Sequence, residues 1–177
     1  MRPRYRPMAL LAAAVTSAAS CLLFATPASA GVADTTCLLG TETTTYSPPV
    51  TLTPQTVHIN TGRQLGPCVS TNPAITTGTM TISFDATRSC LTVASPSTAT
   101  LTINWNNGQS STLLVNYVNN NAAGQIVSVG TGAVTTGLFA GDSAVVVNVG
   151  PTLDTLNCVL NGISSRTGTF TLELTSL

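Results

Sequence analysis

The sequence contains no lysine, and charged residues make up only 7% of its 177 positions. Beyond residue 30, three arginines stand against six acidic residues, which gives a net charge of −3 with histidine neutral. Nucleic acids and anionic membranes are bound through clustered lysine and arginine. The sequence therefore predicts that neither is a partner.

Catalytic side chains are also scarce. His58 is the only histidine, and strand alternation places it opposite Val57 and Ile59, as a half-exposed polar residue. No Gly-x-Ser-x-Gly turn accompanies it, and no spacing among the acidic residues predicts the paired carboxylates of a glycoside hydrolase. We expect a protein that is not an enzyme and that needs no cofactor.

Metal sites have equally little support. One histidine and no Cys-x-x-Cys pair argue against zinc. No Asp-x-Asp-x-Asp-Gly pattern indicates calcium either. We predict no metal site, with Asp142 and Asp154 as the weak candidates for loop carboxylates that could hold one.

Aromatic residues amount to 5% of the chain, too few for an obvious sugar-stacking platform. The single tryptophan, Trp105, alternates in phase with Leu101 and Ile103, which predicts a core position. Tyr46 and Phe139 are better candidates for exposed aromatics. These three aromatics are the weak candidates for binding a ligand such as a cell-wall glycan.

What the chain does have begins at its N-terminus. Three arginines, Arg2, Arg4 and Arg6, precede an apolar run over residues 8–24 and the small-residue motif Ala28-Ser29-Ala30. This order is typical of a secretory signal peptide. We expect a signal peptide over 1–30 and one secreted domain over 31–177, with an uncleaved anchor as the alternative. No later apolar run is long enough to span a membrane.

Four cysteines follow the predicted cleavage point: Cys37, Cys68, Cys90 and Cys158. An even number in an exported chain indicates two disulfides, and four cysteines allow three pairings. We favour Cys37–Cys68, which would tie down the N-terminal segment, and Cys90–Cys158, which would close a long loop.

Period-two alternation dominates the rest of the chain and predicts strands with one buried face. The clearest runs are residues 79–84, 100–105, 112–117 and 169–174. Asn107-Gly108 lies between two of them and predicts a hairpin with positive φ at both residues. Short strands are expected at 43–46, 50–53 and 56–60, a loop at 62–74, a bent strand at 133–136, and no helix.

Eight to ten short strands with frequent turns favour a single β-sandwich of immunoglobulin-like, Greek-key type with two disulfides. A β-barrel is the second choice. Thirty threonines beyond residue 30 suit the solvent faces of such strands.

The cleavage motif, the four cysteines, the 105–108 hairpin and the segment 132–139 resemble small secreted β-sandwich proteins of high-GC Gram-positive bacteria. That resemblance implies a fold and an extracellular location, but no residue roles. Our leading hypothesis is a structural or surface-binding protein with a protein partner. The alternatives are a carbohydrate- or cell-wall-binding module and a secreted protease inhibitor or hydrolase.

Overall fold

A computed structural model describes residues 32–92, 97–153 and 155–176. The predicted signal peptide over 1–30 and the candidate metal ligand Asp154 lie outside the described residues. Within them, no helix is both long and apolar enough to cross a membrane.

Long strands and one short helix make up the described chain. The strands are β1 (Ala33–Val50), β2 (Gln55–Leu65), β3 (Cys68–Ser70), β4 (Gly78–Arg88), β5 (Ser97–Trp105), β6 (Ser110–Ala122), β7 (Gln125–Gly137), β8 (Ser143–Pro151) and β9 (Ile163–Thr175). The helix, α1 (Thr155–Leu160), lies between β8 and β9.

The strands form one closed antiparallel barrel, so the prediction of a two-layer β-sandwich is wrong. The sheet order is β2-β4-β5-β6-β7-β8-β9-β1-β3, and a further pairing of β1 with β2 closes a ring of eight strands with β3 outside it. The same alternation fits both folds, because it tells which side chains are buried and not whether the sheet closes on itself.

One end of the barrel is filled by a continuous apolar core. Its largest members include Met80, Leu101, Leu113, Phe170 and Leu172, all with almost no exposed surface. A second, smaller cluster at the other end packs Tyr46, Val57, Ile59 and Ile163 around Cys158 of α1. The interior between these two clusters holds polar side chains.

The ring of strands is incomplete at one place. Strands β4 and β5 pair only at Gly78–Trp105 and Thr79–Asn104 within the described residues. The other seven junctions of the ring pair over at least seven residues. Beyond Thr79 the two strands diverge toward the end that carries α1, and the inward-facing Phe84 is therefore 44% exposed.

Two disulfides secure the two ends of the barrel, with the pairing that the sequence favoured. Cys37–Cys68 joins β1 to β3 at the end filled by the apolar core. Cys90–Cys158 joins the segment after β4 to α1 at the opposite end. This second end, with its helix, is called the mouth below.

Several local predictions need correction. The N-terminal part forms the long strands β1 and β2 and the short β3, where three short strands and a loop were expected. In the 105–108 hairpin only Gly108 has positive φ, at 82°. The bend at 133–136 is present as a register shift of β7 against β6. The six-residue α1 contradicts the expectation of no helix, because so short a helix leaves no periodic stripe.

Candidate functional site

Polar side chains enter the barrel at strand positions that alternate in phase with core residues. Arg63 follows Val57 and Ile59 on the inner face of β2, and Arg166 precedes Phe170 on the inner face of β9. Both arginines therefore lie inside the sheet. Because charged groups are costly to bury, each needs a partner inside.

Glu42 of β1 lies at the centre of this group and is only 4% exposed. Its carboxylate accepts hydrogen bonds from Arg63 Nε at 2.8 Å, from Arg166 Nη2 at 3.3 Å and from the Nδ2 group of Asn148 on β8. One carboxylate thus faces two guanidinium groups. The network has a net charge of +1, held where little water reaches it.

The network leaves polar atoms without a partner among the described residues. Four buried atoms in and beside the network are of this kind: Arg63 Nη1, Arg166 Nε, Asn148 Oδ1 and the Tyr117 hydroxyl. Burying an unpaired polar group costs about 1–3 kcal/mol. Three of these atoms can donate and one, Asn148 Oδ1, accepts, so the site has more unpaired donors than acceptors and favours a ligand that accepts hydrogen bonds.

Two tyrosines face the same space as neutral donors. Burial raises the pKa of the Tyr117 phenol, and the nearby Arg63 guanidinium offsets part of that effect. Burial likewise raises the pKa of Tyr46, opposed by Arg166. Both hydroxyls therefore keep their protons at neutral pH and can donate to an anion.

These groups surround a cavity of about 180 Å³ between the apolar core and the mouth. Apolar side chains, including Ile59, Ile82, Phe84 and Leu101, form part of the remaining wall, together with polar residues such as Thr61. The Arg63 guanidinium lies over the Phe170 ring, 4.6 Å from its centre, where the filled end of the barrel begins. The cavity thus combines a charged wall with an apolar wall.

The charge of the cavity is one-sided. Every arginine beyond residue 30 lines it, namely Arg63, Arg88 and Arg166, while Glu42 is the one acidic residue of the lining. Although this part of the chain has a net negative charge, all three of its arginines lie around one small cavity. Such a site favours an anion and disfavours a cation.

The aromatic residues chosen from the sequence do not form an exposed platform. Trp105 is buried, as expected, and donates from Nε1 to Ser111 at 2.8 Å. Phe139 meets its ring edge-to-face with 5.9 Å between the ring centres. Tyr46 was expected to be exposed but is buried and lines the cavity.

Asp142, the metal candidate that the structure describes, is not part of a ligand set. Asp142 is 8% exposed and follows the turn at Gly141, and Asp34 is its acidic neighbour. Among the described residues, no group of three or more histidine, cysteine or acidic side chains could hold a metal ion.

Sequence reasoning missed Glu42, Arg63, Asn148 and Arg166, although a signal was present. Asn148 continues the inward phase of Ala144 and Val146, as Arg63 continues that of Val57. A charged or amide residue in phase with an apolar face indicates a polar interior. A β-sandwich core has no room for such a group, whereas a barrel encloses one.

A second depression lies on the outside, with a volume of about 790 Å³, next to the β6–β7 hairpin. Mostly threonine, glycine and backbone line it, and Glu42, its one charged residue, turns its carboxylate into the barrel.

No known family, curated protein or solved structure matches the chain. The resemblance to secreted proteins of Gram-positive bacteria therefore stays a prediction.

Proposed function

We propose that the protein binds a small organic carboxylate inside the barrel. The observation that carries this proposal is that the buried Arg63 Nη1 and the Tyr117 hydroxyl lie together at the cavity, with no hydrogen-bond partner besides each other among the described residues. A carboxylate accepts hydrogen bonds from a guanidinium and a phenol together. Its negative charge also balances the +1 network around Glu42.

The cavity limits the size of the ligand. A cavity of roughly 150 Å³ is enough for benzene, and this one measures about 180 Å³. The apolar wall of Ile82, Phe84 and Leu101 suits a ring or a short alkyl chain. A benzoate-sized or hexanoate-sized acid fits this description, and a polysaccharide does not.

The predicted extracellular location is compatible with binding of a small carboxylate. The two disulfides are consistent with an extracellular protein. We propose that residues 1–30 direct export and are removed, so that the domain over 31–177 meets its ligand outside the cell. The ligand then comes from the surroundings or from the cell wall, and the binding surface is the interior of the barrel.

The proposal is tested with ligands of one shape and different charge. Titration with benzoate, benzamide and benzylamine, followed by calorimetry and thermal melting, compares an anion, a neutral amide and a cation; hexanoate replaces the ring by a chain. We expect saturable binding and a higher melting temperature with the carboxylates alone. Equal effects of benzamide and benzoate, or no effect of any compound, would contradict the proposal.

The variant Tyr117→Phe sharpens this test. The lost hydroxyl has no partner within the described protein other than the Arg63 guanidinium, so the free energy of unfolding should change little. Binding of benzoate should weaken by about tenfold, because a hydrogen bond to a charged group is lost. Thr131→Val, which removes an exposed hydroxyl of β7, is the control. A variant that binds as tightly as the original protein would show that Tyr117 does not contact the ligand.

A further inference from the structure

The outer face of β2 and β4 carries a serine, a histidine and an aspartate in hydrogen-bonding order. Asp85 Oδ1 lies 2.8 Å from His58 Nδ1, and Ser83 Oγ lies 3.0 Å from His58 Nε2. We propose that these three residues form an acyl-transfer site that hydrolyses small esters. Ser83 is the nucleophile, His58 the general base, and Asp85 the residue that orients the imidazole.

Strand geometry explains how the three meet. Ser83 and Asp85 are two residues apart on β4, so both point to the same side of the sheet. His58 is the cross-strand partner of Asp85, and Asn60 is that of Ser83. The imidazole therefore lies between the carboxylate and the hydroxyl.

The order of the ring nitrogens suits catalysis. With its proton on Nδ1, His58 donates to Asp85 and leaves Nε2 to accept the Ser83 proton. Serine hydrolases use this arrangement of hydroxyl, imidazole and carboxylate on unrelated folds. A serine hydroxyl is a weak nucleophile until such a base takes its proton.

The open junction of β4 and β5 supplies a donor for the developing oxyanion. The Thr77 carbonyl accepts from Asn106 N–H at 3.1 Å, so it points toward β5. The register of β4 against β2 is unbroken, and backbone direction alternates every residue along an antiparallel strand. The N–H group of Ser83 therefore also points toward β5, where no described strand pairs with it. A backbone N–H next to the nucleophile is a common oxyanion donor.

The reaction balances without a cofactor. Ser83 Oγ bonds to the ester carbonyl carbon while its proton moves to His58 Nε2. The bond to the leaving alkoxide breaks, and that oxygen takes the proton from His58. Water then attacks the acyl-serine, its proton passes through His58 to Ser83 Oγ, and the acid is released.

Exposure defines the substrate class. The side chains of His58 and Asp85 are 53% and 69% exposed, so the site has no enclosing pocket. An unselective site of this kind takes small, activated esters such as aryl acetates. The proposal does not depend on the carboxylate cavity, because that cavity lies on the opposite face of the same strands.

The test measures hydrolysis of p-nitrophenyl acetate and labelling by phenylmethanesulfonyl fluoride, with peptide mapping by mass spectrometry. We expect the label on Ser83 and a loss of hydrolysis of at least about tenfold in Ser83→Ala and His58→Gln. Asp85→Asn should lower the rate while leaving benzoate binding unchanged. Ser165→Ala, which removes an exposed serine of β9 away from His58, is the matched control.

Each other outcome overturns the proposal. Hydrolysis that survives Ser83→Ala and vanishes in His58→Gln would show that the imidazole acts alone. Hydrolysis no faster than that of free imidazole, or a label spread over several serines, would mean that the three residues are a polar surface cluster. The melting temperatures of all variants are the control for folding and should be equal, so that a lost rate is not a lost fold.

Discussion

Asp142 is a buried carboxylate whose Oδ2 atom has no hydrogen-bond partner among the described residues. Burial raises its pKa above the usual 3.8, and the negative charge of Asp34 and a shared hydrogen bond raise the pKa further. A raised pKa in the folded state means that folding disfavours the charged form. The stability that protonation adds is complete below pH 3.8 and is lost as the pH rises through the folded-state pKa.

The variant Asp142→Asn should therefore gain stability relative to the original protein as the pH rises. We expect an advantage of about 1 kcal/mol at pH 7, since the buried charge is removed and the amide can donate to Asp34. Urea unfolding at pH 3, 5 and 7 measures this difference. Glu173→Gln, which removes an exposed carboxylate of β9, is the control. Parallel stability curves for Asp142→Asn and the original protein would contradict the expected titration.

At the same scale, Trp105 and Arg63 show which features of the interior could be predicted from the sequence. The phase of Trp105 with Leu101 correctly predicted a core residue, because burial follows alternation. The phase of Arg63 with Val57 carried the same information. What an inward-facing arginine does depends on the residue that faces it. For Arg63 that residue is Glu42, 21 positions earlier in the chain, which no local pattern identifies as its partner.

At the scale of elements, the two disulfides close loops of different length at opposite ends of the barrel. Cys90 and Cys158 are 68 positions apart, and Cys37 and Cys68 are 31 apart. The chain-entropy cost grows only with the logarithm of loop length, so each bridge should contribute about 4 kcal/mol. Their effects on the cavity should differ, because Cys158 packs with Tyr46 and Ile59 at the mouth.

Double replacement by alanine separates these effects. The Cys90/Cys158 and Cys37/Cys68 double variants should lose similar stability in urea unfolding, and each serves as the control for the other. Benzoate affinity should fall in the Cys90/Cys158 variant only, since α1 is then no longer tied across the mouth. Equal loss of affinity in both variants would mean that general loosening, and not the position of α1, governs binding.

The elements themselves were predicted unevenly, for physical reasons. The alternating runs at 79–84 and 100–105 became β4 and β5, because their polar and apolar residues segregate cleanly. Prolines at 48, 49 and 54 indicated broken strands near the N-terminus, yet β1 continues to Val50. Its last residues pair through a register shift, at an end where an N–H donor is less needed.

At the scale of the whole molecule, the sequence did not predict that the sheet closes into a barrel. Each strand pairs with its neighbour along the chain, apart from the short β3, and a sandwich can begin with the same hairpins. The pairing of the first strand, β1, with the last, β9, completes the ring. A closed barrel has an enclosed interior, where a sandwich has only the packed layer between its two sheets. This interior gives the protein room for a small molecule.

The incomplete β4–β5 junction gives this closure a measurable signature in hydrogen exchange. Amides that point toward the gap, such as those of Ser83 and Asp85, have no described strand partner, whereas the alternate amides of Ile82 and Phe84 face β2. We expect exchange along β4 to alternate between fast and slow from one residue to the next, while β7 and β8, paired on both sides, exchange slowly throughout.

Amide exchange followed by NMR resolves this alternation residue by residue. Exchange of the Ser83 amide as slow as that of Phe84 would show that β4 and β5 close the gap in solution. Exchange at Phe84 as fast as at Ser83 would show that β4 also separates from β2. With benzoate bound, the slow amides should slow further, because Ile82 and Phe84 line the cavity and opening of β4 would then require release of the ligand.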